Sequence, residues 1–137
     1  MSRATLALLL MLASPLRAEV PAQARAAIEA VITAQIEAFR RDDGEAAYAF
    51  AADGVKALFP SVESFMRMVR SGYAPVYRPR DVRFAETVVE NGEVVQRVLL
   101  VGPDGRAHLA LYTMELQPDG SWKIAAVVLV TLPEAGA

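Results

Sequence analysis

The chain has 137 residues, 54% of them hydrophobic and 22% charged, with one histidine, no cysteine and a formal net charge of −2. Such a length suits one domain, and so apolar a composition excludes a disordered tail. Without cysteine there are no disulfides, thiol nucleophiles, iron–sulfur clusters or lipidated cysteine; one histidine excludes a polyhistidine metal site, and the acidic balance offers nucleic acid no basic face.

Residues 1–18 read as a secretory signal: a basic start ending at Arg3, the apolar run Ala4 to Ala13, a break at Ser14-Pro15, and a small residue, Ala18, before the cut. The run is shorter than the roughly 20 residues that span a bilayer. The expectation is export to the periplasm or beyond, with cleavage after Ala18 and no stable membrane insertion afterwards. Removing 18 of 137 residues leaves 119, and the loss of Arg3 and Arg17 sets 12 basic against 16 acidic residues, a net of −4. Residues 19–137 are then one domain.

Helical spacing of Ile28, Val31, Ile32, Gln35, Ile36 and Phe39 predicts a first helix over Ala22 to Arg41. Asp42 with Glu45 three residues on resembles a capping box for a second helix, running to about Asp53 and stopped by Gly54. Ser61 caps a third, Val62 to Ser71, with Val62, Phe65, Met66 and Val69 as its apolar face and Gly72 as its stop. From Tyr73 the pattern changes to period two. Turns at Asn91-Gly92, Gly102-Pro103-Asp104-Gly105 and Pro118-Asp119-Gly120 separate strands at Val82–Val89, Val94–Val101, Ala107–Leu116 and Ser121–Val130. Helices followed by strands predict an α+β domain, with three helices laid on a four-stranded antiparallel meander.

Pairing Glu90 with Glu93, Val101 with Arg106 and Leu116 with Ser121 sorts the strands into two faces. The more apolar one, with Thr87, Gln96, Val98, Leu100, Leu109, Leu111, Thr113, Trp122, Ile124, Ala126 and Val128, is expected under the helices. The mixed one, with Phe84, Glu86, Arg97, Leu99, His108, Ala110, Tyr112, Met114, Val127 and Leu129, is expected to face outward, with Glu86 and Arg97 as a cross-strand ion pair. So apolar an outer face predicts a partner. Leu99, Tyr112, Val127, Leu129 and a rim histidine, His108, are the candidate surface of a homodimer.

The stretches Ile32-x-x-Gln35-Ile36-x-Ala38-Phe39-x-x-Asp42-Asp43, Ala47-Tyr48-x-Phe50-Ala51, Phe65-x-x-Met68-Val69-x-x-Gly72-Tyr73-x-Pro75-Val76 and Asp119-Gly120-Ser121-Trp122-Lys123-Ile124 resemble the DUF4864 family. The order of elements resembles the NTF2-like superfamily. The resemblance implies a cone-shaped (cystatin-like) α+β fold in a bacterial exported protein, with a pocket between the first helix, the third helix and the sheet. Enzymes on that fold place a carboxylate base just before a proline after the second helix. Here Phe59 stands before Pro60, so no catalytic residue is assigned.

Other candidates follow from residue type and place. Gln96 and Thr113, polar on the expected inner face, either hydrogen-bond to the helices or line a pocket with Tyr48 or Tyr73. Tyr77, Arg78 and Arg80, in a run of aromatics, prolines and arginines, are candidates for the pocket mouth or for a stiff crossover. Asp42-Asp43 reads as helix capping, and Asp53 as a helix end. No metal or cofactor is expected. The expected function is binding of a small apolar ligand or a protein partner; the alternative is a small isomerase, dehydratase or hydrolase with an acid–base pair in the pocket.

Overall fold

A computed structural model describes residues 19–134, so the expected signal segment and its cleavage point lie outside the described residues. The first helix, α1 (Ala22–Arg40), turns Ile28, Ile32, Ile36 and Phe39 to the core, as their spacing requires. It ends in a left-handed residue: Asp42 has φ +54°, its amide donates to Phe39 O (3.0 Å), and the Asp43 amide donates to Ala38 O (2.9 Å). These two bonds are a Schellman stop with aspartate in the position glycine usually takes. Asp42 therefore closes α1 and does not cap the next helix. Asp43 caps it, accepting from the Ala46 amide at 3.1 Å.

The second helix, α2 (Gly44–Ala49), is shorter than expected, and Asp53 begins a further helix instead of ending this one. Between them, Phe50 to Ala52 pairs with a strand at Ile124, whose amide donates to Phe50 O (2.8 Å) and whose carbonyl accepts from the Ala52 amide (2.9 Å). Local helix propensity in this alanine-rich stretch yields to those long-range bonds. The chain continues through α3 (Asp53–Leu58), α4 (Val62–Gly72) and the single turn α5 (Ala74–Tyr77), making five helices among the described residues where three were expected. Ser61 caps α4 in a box with Ser64, and Phe65, Met66 and Val69 form its buried stripe, as predicted.

Strands β1 (Asp81–Glu90), β2 (Glu93–Val101), β3 (Ala107–Leu116) and β4 (Trp122–Thr131) form an antiparallel meander in sequence order. Their limits lie within one residue of expectation. The faces do not. Glu90 pairs with Glu93 across Asn91-Gly92, both of positive φ, as expected. Val101, however, pairs with Ala107 rather than Arg106, and Leu116 with Trp122 rather than Ser121. Each of these connections spends an extra residue on a turn followed by a left-handed glycine, Gly105 (φ +81°) or Gly120 (φ +87°). A one-residue slip exchanges the faces of a strand.

His108, Ala110, Tyr112 and Met114 consequently point under the helices, and Tyr112 is wholly buried there. Leu109, Leu111 and Thr113 point outward. Two bulges complete the exchange: one in β1 between Phe84 and Thr87 turns Phe84 inward, and one in β4 inserts Ala125, which turns Val127 and Leu129 inward and Ala126 and Val128 outward. Of the five residues expected on an outer dimer face, His108, Tyr112, Val127 and Leu129 thus lie on the helix side. Leu99 alone stays outside, 41% exposed. The expected ion pair forms, with Arg97 3.2 Å from Glu86. The core lies between α1, α4 and the inner sheet face, around Ile28, Ile32, Phe39, Val98, Leu100 and Tyr112.

Candidate functional site

The bulge at Ala125 does more than re-aim β4. Between β4, α1, α3 and α4 it borders a cavity of about 270 Å3. Gln35 and Phe39 of α1 form one wall; Val55, Leu58 and Phe59, of α3 and its end, form another. Phe65, Met68 and Val69 of α4, then Tyr73 and Val76, close the third, and β4 from Ile124 to Val127 is the floor. Ala51 and Ala125 are too small to fill the space between these elements. Leu58, 77% exposed, stands at the rim.

Hydrogen bonds hold the walls in place. The Tyr48 hydroxyl donates to Phe59 O at 2.7 Å, pinning the end of α3, and the Tyr48 ring packs 5.3 Å from that of Phe65. The buried Gln35 amide donates to Ala47 O at 3.1 Å, tying α1 to α2. Gln35 and Tyr73 are the polar side chains on the cavity wall, and Tyr73 is the one titratable group there.

Of the four expected pocket residues, the cavity takes Tyr73 directly and Tyr48 as a brace behind its wall. Gln96 is elsewhere. It is fully buried and plugs the β1 bulge, donating to Ala85 O (3.0 Å) and Arg97 O (2.9 Å) and accepting from the Thr87 hydroxyl (2.5 Å). Those bonds neither reach a helix nor line a hollow, so neither expectation for Gln96 describes it. Thr113 lies on the outer sheet face opposite Val95 and Ala126.

Tyr77 and Arg78, candidates for a pocket mouth or a stiff crossover, form a clasp on the end of α1. The Tyr77 hydroxyl and the Arg78 guanidinium (3.0 Å) both donate to Asp42, and Arg78 also donates to Phe39 O while stacking 4.0 Å above the Tyr77 ring. The hydrogen bond from Tyr77, followed by the bond and charge of Arg78 and the charge of Arg70, holds the Asp42 carboxyl below its ordinary value of 3.8. Arg80 borders a separate polar hollow with Glu37, Arg40 and Asp81. That hollow mixes both signs of charge, and its Arg40 already binds Pro79 O at 3.2 Å.

Sequence reasoning missed most of the wall. Phe39, Phe65 and Val69 read as ordinary core, since periodicity marks an inward face without saying whether anything fills the space opposite. Gln35 did carry a signal: a lone amide inside the stripe Ile32, Ile36, Phe39. Among the described residues, no cluster of three or more His, Asp or Glu could hold a metal, and no helix is long and apolar enough to cross a membrane. Tyr112, with its hydroxyl buried and unpartnered, has its pKa pushed well up by that burial.

A family model described as a domain of unknown function (DUF4864) matches residues 21–137. No curated protein and no solved structure matches the chain.

Proposed function

The chain belongs to the DUF4864 family, and from that premise we propose that it is an exported, NTF2-like binding protein whose cavity takes a small apolar ligand. The observation that carries this reading is the cavity of about 270 Å3 walled almost entirely by carbon. Ligand sites are concave and mostly apolar, with few polar groups to orient the occupant. An isomerase or dehydratase needs two ionisable groups converging on its substrate. Tyr73 has no titratable companion on this wall, so the binding reading draws more support than the enzymatic one. Helices gathered on one face of a meander bent by two bulges support the NTF2-like cone. The basic start and apolar run of residues 1–18 support export.

Naphthalene is a suitable neutral probe. Titrated into the purified protein, it should raise the melting temperature saturably. Val55→Trp, which fills the cavity from half-buried α3, should abolish that gain while leaving the unliganded melt cooperative. Absence of saturable stabilisation in the unaltered protein, or an undiminished gain in the variant, overturns the reading.

A second reading, pairing of two copies over the outer sheet face, is favoured by the exposure there of Leu99 (41%), Val128 (54%) and Val130 (42%). Leu99 remains from the set expected from sequence, and Val128 and Val130 take the place of the others.

A further inference from the structure

Resting on the apolar-ligand reading, we propose that the cavity selects an uncharged aromatic ligand of about two fused rings bearing one hydrogen-bond donor, and that Gln35 reads that donor. Size is the first argument. An apolar cavity of roughly 150 Å3 accommodates benzene, and this one, at about 270 Å3, has room for nearly twice as much. Shape is the second. Phe39, Phe59, Phe65 and Tyr73 place aromatic rings on three sides, and such rings pack edge-to-face or offset against another ring. Met68 adds a flexible thioether that adapts to the occupant's outline.

Charge decides the class. No Lys, Arg, His, Asp or Glu lines the cavity. The nearby Lys56 of α3 lies instead over the Tyr48 ring, 5.2 Å from its centre. An anion or cation entering would lose its water and gain no counter-charge, a penalty that excludes it. An uncharged donor has a partner ready. Gln35 is 3% exposed and lines the cavity, and its bond to Ala47 uses Nε2. That leaves the Oε1 carbonyl to accept from a ligand hydroxyl or N–H. Gln35 lies one turn before Phe39 on α1, so the acceptor and an aromatic wall share a face.

Three probes of one carbon skeleton test this: naphthalene, 2-naphthol and 2-naphthoate, titrated at neutral pH and followed by melting temperature and by NMR of the Gln35 side-chain amide. Naphthalene and 2-naphthol should both saturate, the alcohol about 3- to 10-fold tighter, as one net hydrogen bond implies. 2-Naphthoate should bind at least about 100-fold more weakly than the alcohol. Only 2-naphthol should shift the Gln35 amide resonances through hydrogen bonding. Gln35→Met should erase the advantage of the alcohol, and should that variant not fold, presence or absence of the amide shift in the unaltered protein decides whether Gln35 reads the donor. Val55→Lys, which brings an ammonium to the wall, should strengthen 2-naphthoate binding by about 10-fold or more. If 2-naphthoate binds as tightly as 2-naphthol, or if the alcohol gains nothing over the hydrocarbon, the proposed class is wrong although the apolar-ligand reading stands. If naphthalene does not bind, that reading itself falls.

Discussion

Asp42 concentrates several forces in one residue. Its φ of +54° costs an aspartate more than a glycine, yet its carboxylate collects Tyr77 and Arg78 from the end of α5. Arg78 also binds Phe39 O, which already accepts from the Asp42 amide, at the negative end of α1, where a cation is favoured. A carboxyl whose pKa is lowered by folding adds stability that is present above its unfolded pKa and lost as pH falls through the folded one. Asp42→Asn keeps the left-handed tolerance and removes the charge. It should lower the melting temperature at about pH 7, with a gap to the unaltered protein that narrows as pH falls below about 4. A gap constant across that range would show that the clasp works without the charge. The sequence marks Asp42 as a helix-boundary residue, but a boundary aspartate serves either neighbour, and the choice is made by Tyr77 and Arg78, some 35 positions away.

At the scale of elements, strand limits and the α4 stripe were legible because they depend on period and composition within a few residues. The division between α2 and α3 was not, since it depends on β4 pairing with Phe50 to Ala52. Helix packing adds a close contact that composition conceals. A Cβ built on Gly44, at the start of α2, would lie 2.8 Å from Val62 Cγ1 and 2.9 Å from Met66 Cγ of α4. Neither atom is the free end of a long side chain. Gly44→Ala should therefore destabilise the fold by about 1–3 kcal/mol despite alanine's better helix propensity. Urea denaturation measures it, and a neutral or stabilising result would mean that α2 and α4 separate without cost. From sequence the glycine is only an early residue of the expected second helix, with no sign of the close contact.

For the whole molecule, the exchanged faces matter most. The inner face gains Tyr112 and the cavity floor, while the outer face keeps Leu99 of β2 and carries Leu109, Leu111, Val128 and Val130 on its β3–β4 side. The β1–β2 side carries the ion pairs of Arg97 with Glu86 and Glu90. The edge of β4 past Ile124 runs from Ala125 to Val130 with no charged side chain, the kind of edge that soluble proteins usually guard. If two copies pair over this surface, Val128→Lys should shift the mass seen by sedimentation equilibrium from two chains to one without altering the melt. A single-chain mass for the unaltered protein at micromolar concentration would remove that pairing.

The sequence by itself determined the class and order of the fold: a helical half, then a four-stranded meander, with α1, α4 and all four strands near their final limits. These are local matters, governed by side-chain period, capping residues and turn glycines. Tertiary structure alone decided which face of β3 and β4 is buried, because a turn of four residues and one of five share much the same Asp-Gly signature. It also decided that the small residues Ala51 and Ala125 border open space. A void is a property of what distant elements fail to fill, and no single stretch of chain records it.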